Sequence, residues 1–352
     1  MKIEKIIVKK KGYKFFNPIL TSQEKINRRD VISVKIFGDS GNCGVGGAYP
    51  LPPFTEKASA VFFKAEELSE SLKGKDFSSL EDFASNSAIK NITFPTLRFA
   101  FETAYINLLI DSEKINEVPF INKVKSAPIK MNALISASET SSFFSSIEEA
   151  IKNGFDTLKI KLGFSSFENE LIRLGFLRTL SNNVKLRLDI NGAWQFEEAA
   201  KKIERLLQFD LEYVEDPTES FEENMRLAKL FPGSIAFDQT VNSTEEVDLI
   251  SEIGGVLILK PAFFGSITKA VETIDLYKQR NSKLIISSAF EDACGRETNY
   301  ALASLLAAET VHGINTQNIF DEDSEEMYEV IGNRILFSKE KYLRKEKCSE
   351  AE

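Results

Sequence analysis

The stretch Thr157–Gly163 reads TLKIKLG, in which three aliphatic side chains alternate with two lysines before a glycine. This period of two predicts a short β-strand with Lys159 and Lys161 on one face and the aliphatic side chains on the other. Two neighbouring ammonium groups repel each other, which favours the neutral form of one of them where water is excluded. A lysine of lowered pKa can act as a base near neutral pH. The same pattern also fits a strand with a solvent-exposed lysine face.

The composition indicates a globular enzyme or binding protein with a large core. The chain has 352 residues, 43% hydrophobic and 28% charged, and a net charge of −9, which argues against a general nucleic-acid binder. Lys and Arg are scattered, and no apolar run approaches the roughly 18–20 residues that span a bilayer. Charges interrupt the N-terminal segment MKIEKIIVKKKGYKFF, and the cysteines (Cys43, Cys294 and Cys348) form no evident metal or disulfide pattern. We expect a reduced, cytoplasmic protein with neither a nucleic-acid nor a membrane partner.

From Ile129 onward, short apolar segments alternate with amphipathic ones, which predicts repeated βα units and a parallel sheet. No nucleotide-binding glycine motif follows the first strand, and the number of strands favours a barrel over an open sheet. The predicted strands are Met131–Ser136, Thr157–Lys161, Lys185–Ile190, Leu211–Glu215, Ser234–Asp238, Gly255–Lys260, Lys283–Ser287 and Val311–Thr316.

The N-terminal part differs in style, with strand-like segments first and helical segments afterwards. The stretch Gly38–Gly47 (GDSGNCGVGG) predicts a loop, either a hairpin turn with its connector or a mobile flap over a site. Pro95 starts a strong amphipathic helical pattern over Leu97–Ile110, with Phe99, Ala100, Thr103 and Ala104 close together on one face, which indicates tight packing on a neighbour. We expect an α+β capping domain over residues 1–126, a barrel over 127–320 and a C-terminal segment over 321–352 that returns to the cap.

Charged residues stand where the predicted barrel strands end. They are Lys159 and Lys161 on the second strand, Asp189 on the third, Glu215 on the fourth, Asp238 on the fifth and Lys260 on the sixth. In an α/β barrel these ends meet at one rim, which is where catalytic residues lie. Three converging carboxylates repel one another unless a hard divalent cation such as Mg²⁺ binds them. Any one of them could instead cap a helix or form a turn, but their common position in successive units favours a shared site.

At these positions the chain resembles the enolase superfamily, and within it the muconate-lactonizing-enzyme subgroup. The segments that carry the resemblance are KIKLG (159–163), LRLDINGAW (186–194), YVEDP (213–217), IAFDQT (235–240) and ILKPAFFGS (258–266). Further similarity to the o-succinylbenzoate synthase family, dehydratases of the menaquinone pathway, lies in YPLPPF (49–54), Gly265–Ser266, Ser287–Ser288 and HGINTQNIF (312–320). A departure is Gly47, where many members of that family carry glutamate.

The resemblance implies a TIM-like (β/α)7β barrel with an α+β cap, and a Mg²⁺-dependent dehydration of a small carboxylate substrate. Asp189, Glu215 and Asp238 would bind Mg²⁺, which Mn²⁺ could replace. Lys161 would remove the proton α to the carboxylate, with its pKa lowered by Lys159, and Lys260 would stabilise the resulting negative charge. The residues expected to contact substrate are Arg187, Gly265, Ser266, Ser287 and Ser288. For Arg187, an ion pair inside the barrel is an equally good interpretation.

Two other functions stay open at this point. Asp321 and Asp323 resemble the pair of aspartates by which dipeptide epimerases hold a substrate amine, so a dipeptide epimerase or N-acylamino-acid racemase is the first alternative. A non-catalytic barrel used for binding is the second. His312 is the only histidine, which excludes histidine-rich zinc sites, and we expect it to have a structural role near the end of a strand.

Overall fold

Three sheets organise the described chain: an antiparallel one near the N-terminus, a larger parallel one after it, and a four-stranded one that includes the C-terminal strands. The computed structural model describes residues 1–20, 25–136, 139–163, 165–241, 243–317, 319–321 and 327–344. Within these ranges the antiparallel sheet has three strands and the parallel sheet has seven. This mixed α/β arrangement with a parallel barrel-type sheet agrees with the fold class predicted from the sequence.

The N-terminal cap consists of a long β-hairpin, a third strand and a layer of helices. Its strands, in the order β1-β2-β3, are β1 (Ile3–Leu20), β2 (Lys25–Gly38) and β3 (Cys43–Ala48). Its helices are α1 (Ala58–Leu72), α2 (Leu80–Ser85), α3 (Ser87–Lys90) and α4 (Pro95–Asp111), followed by 3₁₀ turns at Ile115–Glu117 and Pro119–Lys123. Helix α4 begins at the predicted proline and is buried along almost its whole length, which explains why its pattern is apolar on nearly every side.

The glycine-rich stretch is mostly a buried strand, so the prediction of a loop over Gly38–Gly47 is wrong beyond its first residues. Only the turn that leads into Cys43 is a loop, and β3 then pairs with β2 and lies against α4. A Cβ on Gly44 would overlap the backbone of Ala104 and Leu108, and one on Gly46 would overlap the backbone of Ala100. These glycines therefore serve close strand-to-helix packing rather than mobility.

The parallel sheet alternates with helices as the sequence pattern predicts. Strand β4 (Ala127–Met131) comes first and belongs to the four-stranded sheet. The seven strands of the parallel sheet are β5 (Ala133–Ile135), β6 (Thr157–Lys161), β7 (Lys185–Asp189), β8 (Leu211–Glu215), β9 (Ile235–Phe237), β10 (Val256–Leu259) and β11 (Leu284–Ile286). The helices between and after them are α5 (Thr140–Lys152), α6 (Phe167–Leu180), α7 (Phe196–Leu206), α8 (Phe221–Leu230), α9 (Thr244–Glu252), α10 (Pro261–Phe264), α11 (Ile267–Gln279) and α12 (Ala293–Ala303). A 3₁₀ turn at Leu207–Phe209 continues α7.

A second apolar cluster fills one face of this sheet. It consists of Tyr213, Ala236, Val256, Ile258 and Ile285, on strands β8 to β11. Because side chains alternate along a strand, these residues share their face with the polar residues two positions further on. The apolar cluster therefore forms a floor beneath whatever the strand ends carry.

The two edges of the parallel sheet are connected through the segment around His312. Strand β12 (Val311–His312) pairs with β4, and the His312 carbonyl accepts a hydrogen bond from the Asn132 backbone N–H at 3.0 Å. On the other side, the Gly313 N–H donates to the Ile286 carbonyl of β11 at 2.9 Å. These bonds link the last predicted βα unit to the first one.

Most of the described C-terminal segment is attached to the barrel through β4. Strand β13 (Val330–Ile331) pairs with β14 (Arg334–Phe337), which runs antiparallel to β4, and α13 (Lys339–Leu343) follows. At the start of the segment, the Asp321 N–H donates to the Lys14 carbonyl of β1 at 3.0 Å, so the segment also contacts the cap.

Two further findings concern membrane-spanning helices and the cysteines. None of the described helices combines the length and apolar character needed to cross a membrane. Cys294 is a free, half-buried thiol.

We predict that Gly46→Ala destabilises the protein by about 3 kcal/mol, because the new methyl group has no space beside the α4 backbone. The matched control is Gly175→Ala on helix α6, where the added Cβ would meet only Phe209 at 3.9 Å and alanine is the better helix former. Denaturant unfolding measures both variants. A Gly46→Ala protein as stable as the Gly175→Ala protein would contradict the packing argument.

His312 generates a second prediction, since burial lowers its pKa to about 3 and its Nδ1 accepts a hydrogen bond from the Ile286 N–H at 3.1 Å. In the unfolded chain His312 becomes protonated near pH 6.5, whereas in the folded protein it stays neutral down to about pH 3. The neutral imidazole therefore contributes stability above pH 6.5, and this contribution is lost as the pH falls toward 3. Between pH 7.5 and 5.5, wild type should lose about 1.4 kcal/mol more stability than His312→Gln. Equal losses, measured by denaturant unfolding at both pH values, would refute it.

Candidate active site

The strand ends bring the predicted charged residues together. The set comprises Lys159 and Lys161 on β6, Asp189 at the end of β7, Glu215 at the end of β8, and Asp238 and Lys260 directly after β9 and β10. Strand register places Lys161 opposite Asp189, and Asp189 opposite Glu215. Except for the buried Glu215, all of them line one cavity of about 810 Å³.

Lys159 lies between two carboxylates. Its Nζ is 3.0 Å from Asp189 Oδ2 and 2.7 Å from Glu215 Oε1, and both carboxylates are almost fully buried. Burial alone would lower the pKa of Lys159, but the attraction of the two carboxylates outweighs it and raises that pKa well above the ordinary value. Lys159 is therefore a permanent cation that neutralises this part of the site.

Lys161 has a different environment, although it is only two residues away on the same face. It makes no ion pair with any carboxylate in the described part of the chain. Burial is the largest cause that lowers its pKa, and the nearby charges of Lys159 and Lys260 lower it further, against the attraction of Asp189. The sequence predicted the direction of this shift from the neighbouring lysine, whereas the main cause is burial.

Lys260 is paired across the site with Asp238, with Nζ and Oδ2 2.5 Å apart. Burial acts to lower the pKa of Lys260, but Asp238 and Glu215 outweigh it, and the pKa is raised. Lys161 is thus the lysine of the three that most easily loses its proton, and it lies between two that keep theirs.

Glu215 and Asp189 are both buried, but their pKa values are shifted in opposite directions. Burial raises the pKa of Glu215 to about 8, with help from Asp189 and Asp238. Burial also acts to raise the pKa of Asp189, but the surrounding lysines overcome it and lower that pKa. Neighbouring cations therefore compensate the negative charge of Glu215 less completely than that of Asp189. The Oε2 atom of Glu215 is also buried, with no hydrogen-bond partner among the described residues.

The unpaired Glu215 Oε2 is one indication that the three carboxylates fit a metal ion. Asp189, Glu215 and Asp238 offer oxygen donors from three adjacent strands, and all-oxygen sets suit Mg²⁺. As the side chains are placed, no cluster of acidic, histidine or cysteine residues in the described ranges is arranged around a metal position. The reason is that Lys159 occupies the space between two of the carboxylates. In donor type and position the residues fit, and a bound cation would require the Lys159 ammonium to move.

Asp216 fixes the loop that carries Asp238. One of its oxygens accepts a hydrogen bond from the Gln239 N–H at 2.6 Å, and the other accepts one from the Thr240 hydroxyl at 2.8 Å. The Asp238 N–H also points to this carboxylate at 3.3 Å. Burial raises the pKa of Asp216 to about 7, with help from the charge of Asp238. The second acidic residue of YVEDP therefore positions its neighbour.

Of the residues predicted to contact substrate, Ser287 and Ser288 line the cavity. Gly265 and Ser266 do not, because they form the joint between barrel and cap. A Cβ on Gly265 would lie 2.8 Å from Pro95 of α4, and Ser266 caps helix α11 through the Lys269 N–H. The Glu102 carboxylate of α4 accepts a further bond from the same helix end, from the Ile267 N–H at 2.7 Å.

Arg187 also lies outside the cavity, so the structure favours the ion-pair interpretation of this residue. Its Nε is 2.6 Å from Glu212, its Nη1 donates to Asn132 Oδ1 at 3.0 Å and its Nη2 donates to the Val311 carbonyl at 2.9 Å. A bulge between β7 and β8 places Glu212 below the strand ends, and Arg187 turns downward toward it.

The sequence did not indicate some residues that line the cavity. Asn132 lies at the break between β4 and β5, inside what was predicted as one strand. Phe290 follows Ser287–Ser288 and has a φ of 64°, a left-handed conformation that is strained for an aromatic residue. A signal was available for Asn132, since a polar residue within an apolar strand pattern marks an inward-facing functional position in a barrel.

Asp321 is placed away from the site. Its Oδ2 is 3.2 Å from Lys14 Nζ of β1, and its backbone N–H donates to the Lys14 carbonyl at 3.0 Å. Asp323 lies outside the described residues. The aspartate pair that suggested an epimerase is thus represented by one residue, which is paired with the cap.

Comparison with known proteins gives three findings. Residues 143–338 match the family model described as enolase C-terminal domain-like. The o-succinylbenzoate synthase of Desulfotalea psychrophila is 27% identical over 236 residues, which is 64% of either chain. In structure, the chain is similar to the L-Ala-D/L-Glu epimerase from Bacillus subtilis, with a TM-score of 0.83 and 20% identity over 96% of this chain and 97% of the other.

MenC from Desulfotalea psychrophila is similar as well, with a TM-score of 0.77 and 22% identity over 96% of this chain and 100% of the other. At such identities the structural likeness establishes the fold alone. The choice between these activities rests on the residues of the site.

Proposed function

The chain belongs to the enolase C-terminal domain-like family, and from that premise we propose that it is an o-succinylbenzoate synthase. It would convert 2-succinyl-6-hydroxy-2,4-cyclohexadiene-1-carboxylate to 2-succinylbenzoate and water. The observation that carries this proposal is the placement of Lys161, a half-buried lysine of lowered pKa next to two protonated lysines and three carboxylates. This is the environment that a base needs for removing the proton α to a carboxylate.

A metal ion held by Asp189, Glu215 and Asp238 would supply positive charge to the substrate carboxylate, and Mg²⁺ is the ion these oxygen donors suit best. The orphaned Oε2 of Glu215 supports this assignment.

The reaction begins at Lys161, whose neutral Nζ takes the proton from the carbon α to the substrate carboxylate. The electron pair of that C–H bond moves into the carboxylate and gives an enediolate. The C–O bond of the neighbouring carbon then breaks as the pair returns, and the ring becomes aromatic. Lys161, now protonated and on the same face, gives its proton to the departing hydroxyl, so water leaves by syn elimination.

The other two lysines supply fixed charge. Lys260 lies across the cavity from Lys161 and keeps its proton because Asp238 pairs with it, so it stabilises the enediolate electrostatically. Lys159 keeps its proton because it lies beside the acidic residues, and its positive charge helps to hold Lys161 neutral. A neutral Lys161 and a protonated Lys260 would also supply the base and the acid of a racemase, so the rest of the substrate site has to separate the two reactions.

We further propose that the strands form a closed (β/α)7β barrel, with a cap over residues 1–126 and the barrel over 127–320. The hydrogen bonds of Asn132 and Gly313 on either side of His312 support this closure.

The second candidate is a dipeptide epimerase or N-acylamino-acid racemase, which the structural similarity to the Bacillus subtilis epimerase favours. It would use Lys161 and Lys260 as partners on opposite faces of the substrate. The pairing of Asp321 with Lys14 speaks against it, because this aspartate is not available to a substrate amine.

We predict that the wild-type protein with Mg²⁺ turns over the cyclohexadiene substrate, and that Lys161→Ala lowers kcat by at least about 10³-fold because it removes the base. Loss of diene absorbance measures the rate. A dipeptide incubated in D₂O provides the rival assay, since an epimerase incorporates deuterium into both epimers.

The control variant is Lys185→Ala, an exposed lysine at the other end of a barrel strand, which should retain wild-type activity. Mg²⁺ binding and the unfolding curve should be the same for Lys161→Ala and wild type. Near-normal turnover by Lys161→Ala, or epimerisation without dehydration by wild type, would overturn the dehydratase assignment.

Metal removal gives a separate prediction. EDTA should abolish turnover, and added Mg²⁺ or Mn²⁺ should restore it, because three carboxylates bind the ion. Asp238→Asn should weaken Mg²⁺ binding by about 10- to 100-fold, as measured by calorimetry. Full activity in metal-free buffer would exclude the carboxylates as a metal site.

A further inference from the structure

Asn132 is a buried polar residue at the bottom of the cavity, at the break between β4 and β5. Its side chain is only 3% exposed, and it lies among the residues that line the cavity. Its backbone N–H donates to the His312 carbonyl at 3.0 Å, which fixes the main chain at this point. The break in the strand therefore has a defined geometry.

Arg187 fixes the orientation of the Asn132 amide. A guanidinium group can only donate hydrogen bonds, so the Asn132 oxygen must face Arg187 Nη1, 3.0 Å away. Arg187 cannot turn, because Glu212 and the Val311 carbonyl bind its other nitrogens and the Tyr213 ring lies 5.2 Å from its guanidinium carbon.

The amide nitrogen consequently points the other way, with two N–H donors. Asn132 Nδ2 has no hydrogen-bond partner in the described parts of the chain, although the residue is more than nine-tenths buried. A buried donor without a partner costs stability, so a donor left open to a cavity indicates a ligand or water there.

The wall around Asn132 is neutral, in contrast to the carboxylates on the opposite strands. Ser287, Ser288 and Thr316 line this part of the cavity, on or next to β11 and β12. The Ser288 hydroxyl is already engaged, since it donates to Glu291 at 2.5 Å and accepts from Thr316 at 3.0 Å. Asn132 Nδ2 is a donor on this wall, and the hydrogen bond from Arg187 to the Asn132 oxygen determines the direction in which it points.

We propose that Asn132 Nδ2 donates a hydrogen bond to an oxygen on the non-reacting part of the substrate, and that Arg187 is a positioning residue that holds the amide. The inference rests on the proposed function, in which the reacting carboxylate lies at the acidic wall and the α carbon at Lys161. The succinyl chain then extends toward the neutral wall, and one of its oxygens is the acceptor.

The experiment compares wild type with Asn132→Asp. Aspartate has the same shape and still accepts from Arg187, but it offers no donor and repels a substrate oxygen. Because the lost bond involves a part of the substrate that does not react, KM should rise by about 10- to 100-fold while kcat changes less than about threefold. The matched control is Asn169→Asp, the same change at an exposed position of α6, which should leave both constants unchanged.

Two inhibitors separate binding from general damage. Inhibition by 2-succinylbenzoate should weaken by about 10- to 100-fold in Asn132→Asp, whereas inhibition by benzoate, which lacks the succinyl chain, should not change. Arg187→Gln should raise KM as well, and its effect should not add to that of Asn132→Asp if it acts through the amide. Should Arg187→Gln fail to fold, the Asn132→Asp measurements still decide the role of the amide.

The inference is overturned if wild type dehydrates the substrate but Asn132→Asp has unchanged KM and unchanged inhibition by 2-succinylbenzoate, or if benzoate inhibition weakens equally. If wild type instead epimerises dipeptides, the dehydratase proposal fails, and the same KM comparison with a dipeptide tests the Asn132 donor against the peptide carbonyl. A wild type that accepts neither substrate overturns both.

Discussion

The mutual compensation of buried charges at the ends of β6 to β10 is the constraint on which this structure depends. A buried ammonium or carboxylate is costly in isolation and tolerable only with a partner, and removing one member leaves the other uncompensated. Lys159 satisfies Asp189 and Glu215 together, and Lys260 satisfies Asp238. Lys161 alone has no dedicated partner in the described chain, and this asymmetry is what gives it a lowered pKa. The groups that would perform the chemistry therefore also stabilise the ends of the strands. The lysine proposed as the base is the one without an ion-pair partner in the described chain.

The cap matters to this site because its contacts with the barrel are specific. Glu102 of α4 is fully buried, pairs with Arg98 at 2.8 Å and accepts a bond from the N-terminal end of α11. On the far side, Arg29 of β2 donates to the carbonyls of Tyr49 and Ala289, which ties the hairpin to the loop after β11. A carboxylate at a helix N-terminus and a guanidinium over carbonyl oxygens are both charge-assisted contacts with fixed direction. They hold the cap over the cavity and help to exclude the water that would otherwise solvate Lys161.

The sequence predicted the strand ends well because each βα unit repeats one simple pattern, an apolar segment followed by a charged residue. Thr157–Lys161 and Leu211–Glu215 were placed to the residue for this reason. Gly38–Gly47 was misjudged because glycine signals both flexible turns and close backbone packing, and only the position of α4 distinguishes them. The direction of the Arg187 side chain could not be predicted from the sequence either. Its strand face was correct, but a bulge opposite it, which depends on how β7 and β8 pair, places Glu212 below and draws the side chain away from the cavity.

The reaction that such a site performs is decided by the cavity wall more than by the charged cluster. Lysines and carboxylates in this arrangement provide one partial reaction, proton removal next to a carboxylate, which serves elimination and racemisation equally. What separates the two is the chemistry that meets the remainder of the substrate. An amine would require an acidic partner there, and of the two aspartates that suggested one from the sequence, the described Asp321 is paired with Lys14. The wall near Asn132 instead presents an amide nitrogen and hydroxyl groups, which match oxygen acceptors. In the role proposed for Asn132, Arg187 contributes to recognition through the amide whose orientation it fixes, without contacting the substrate itself.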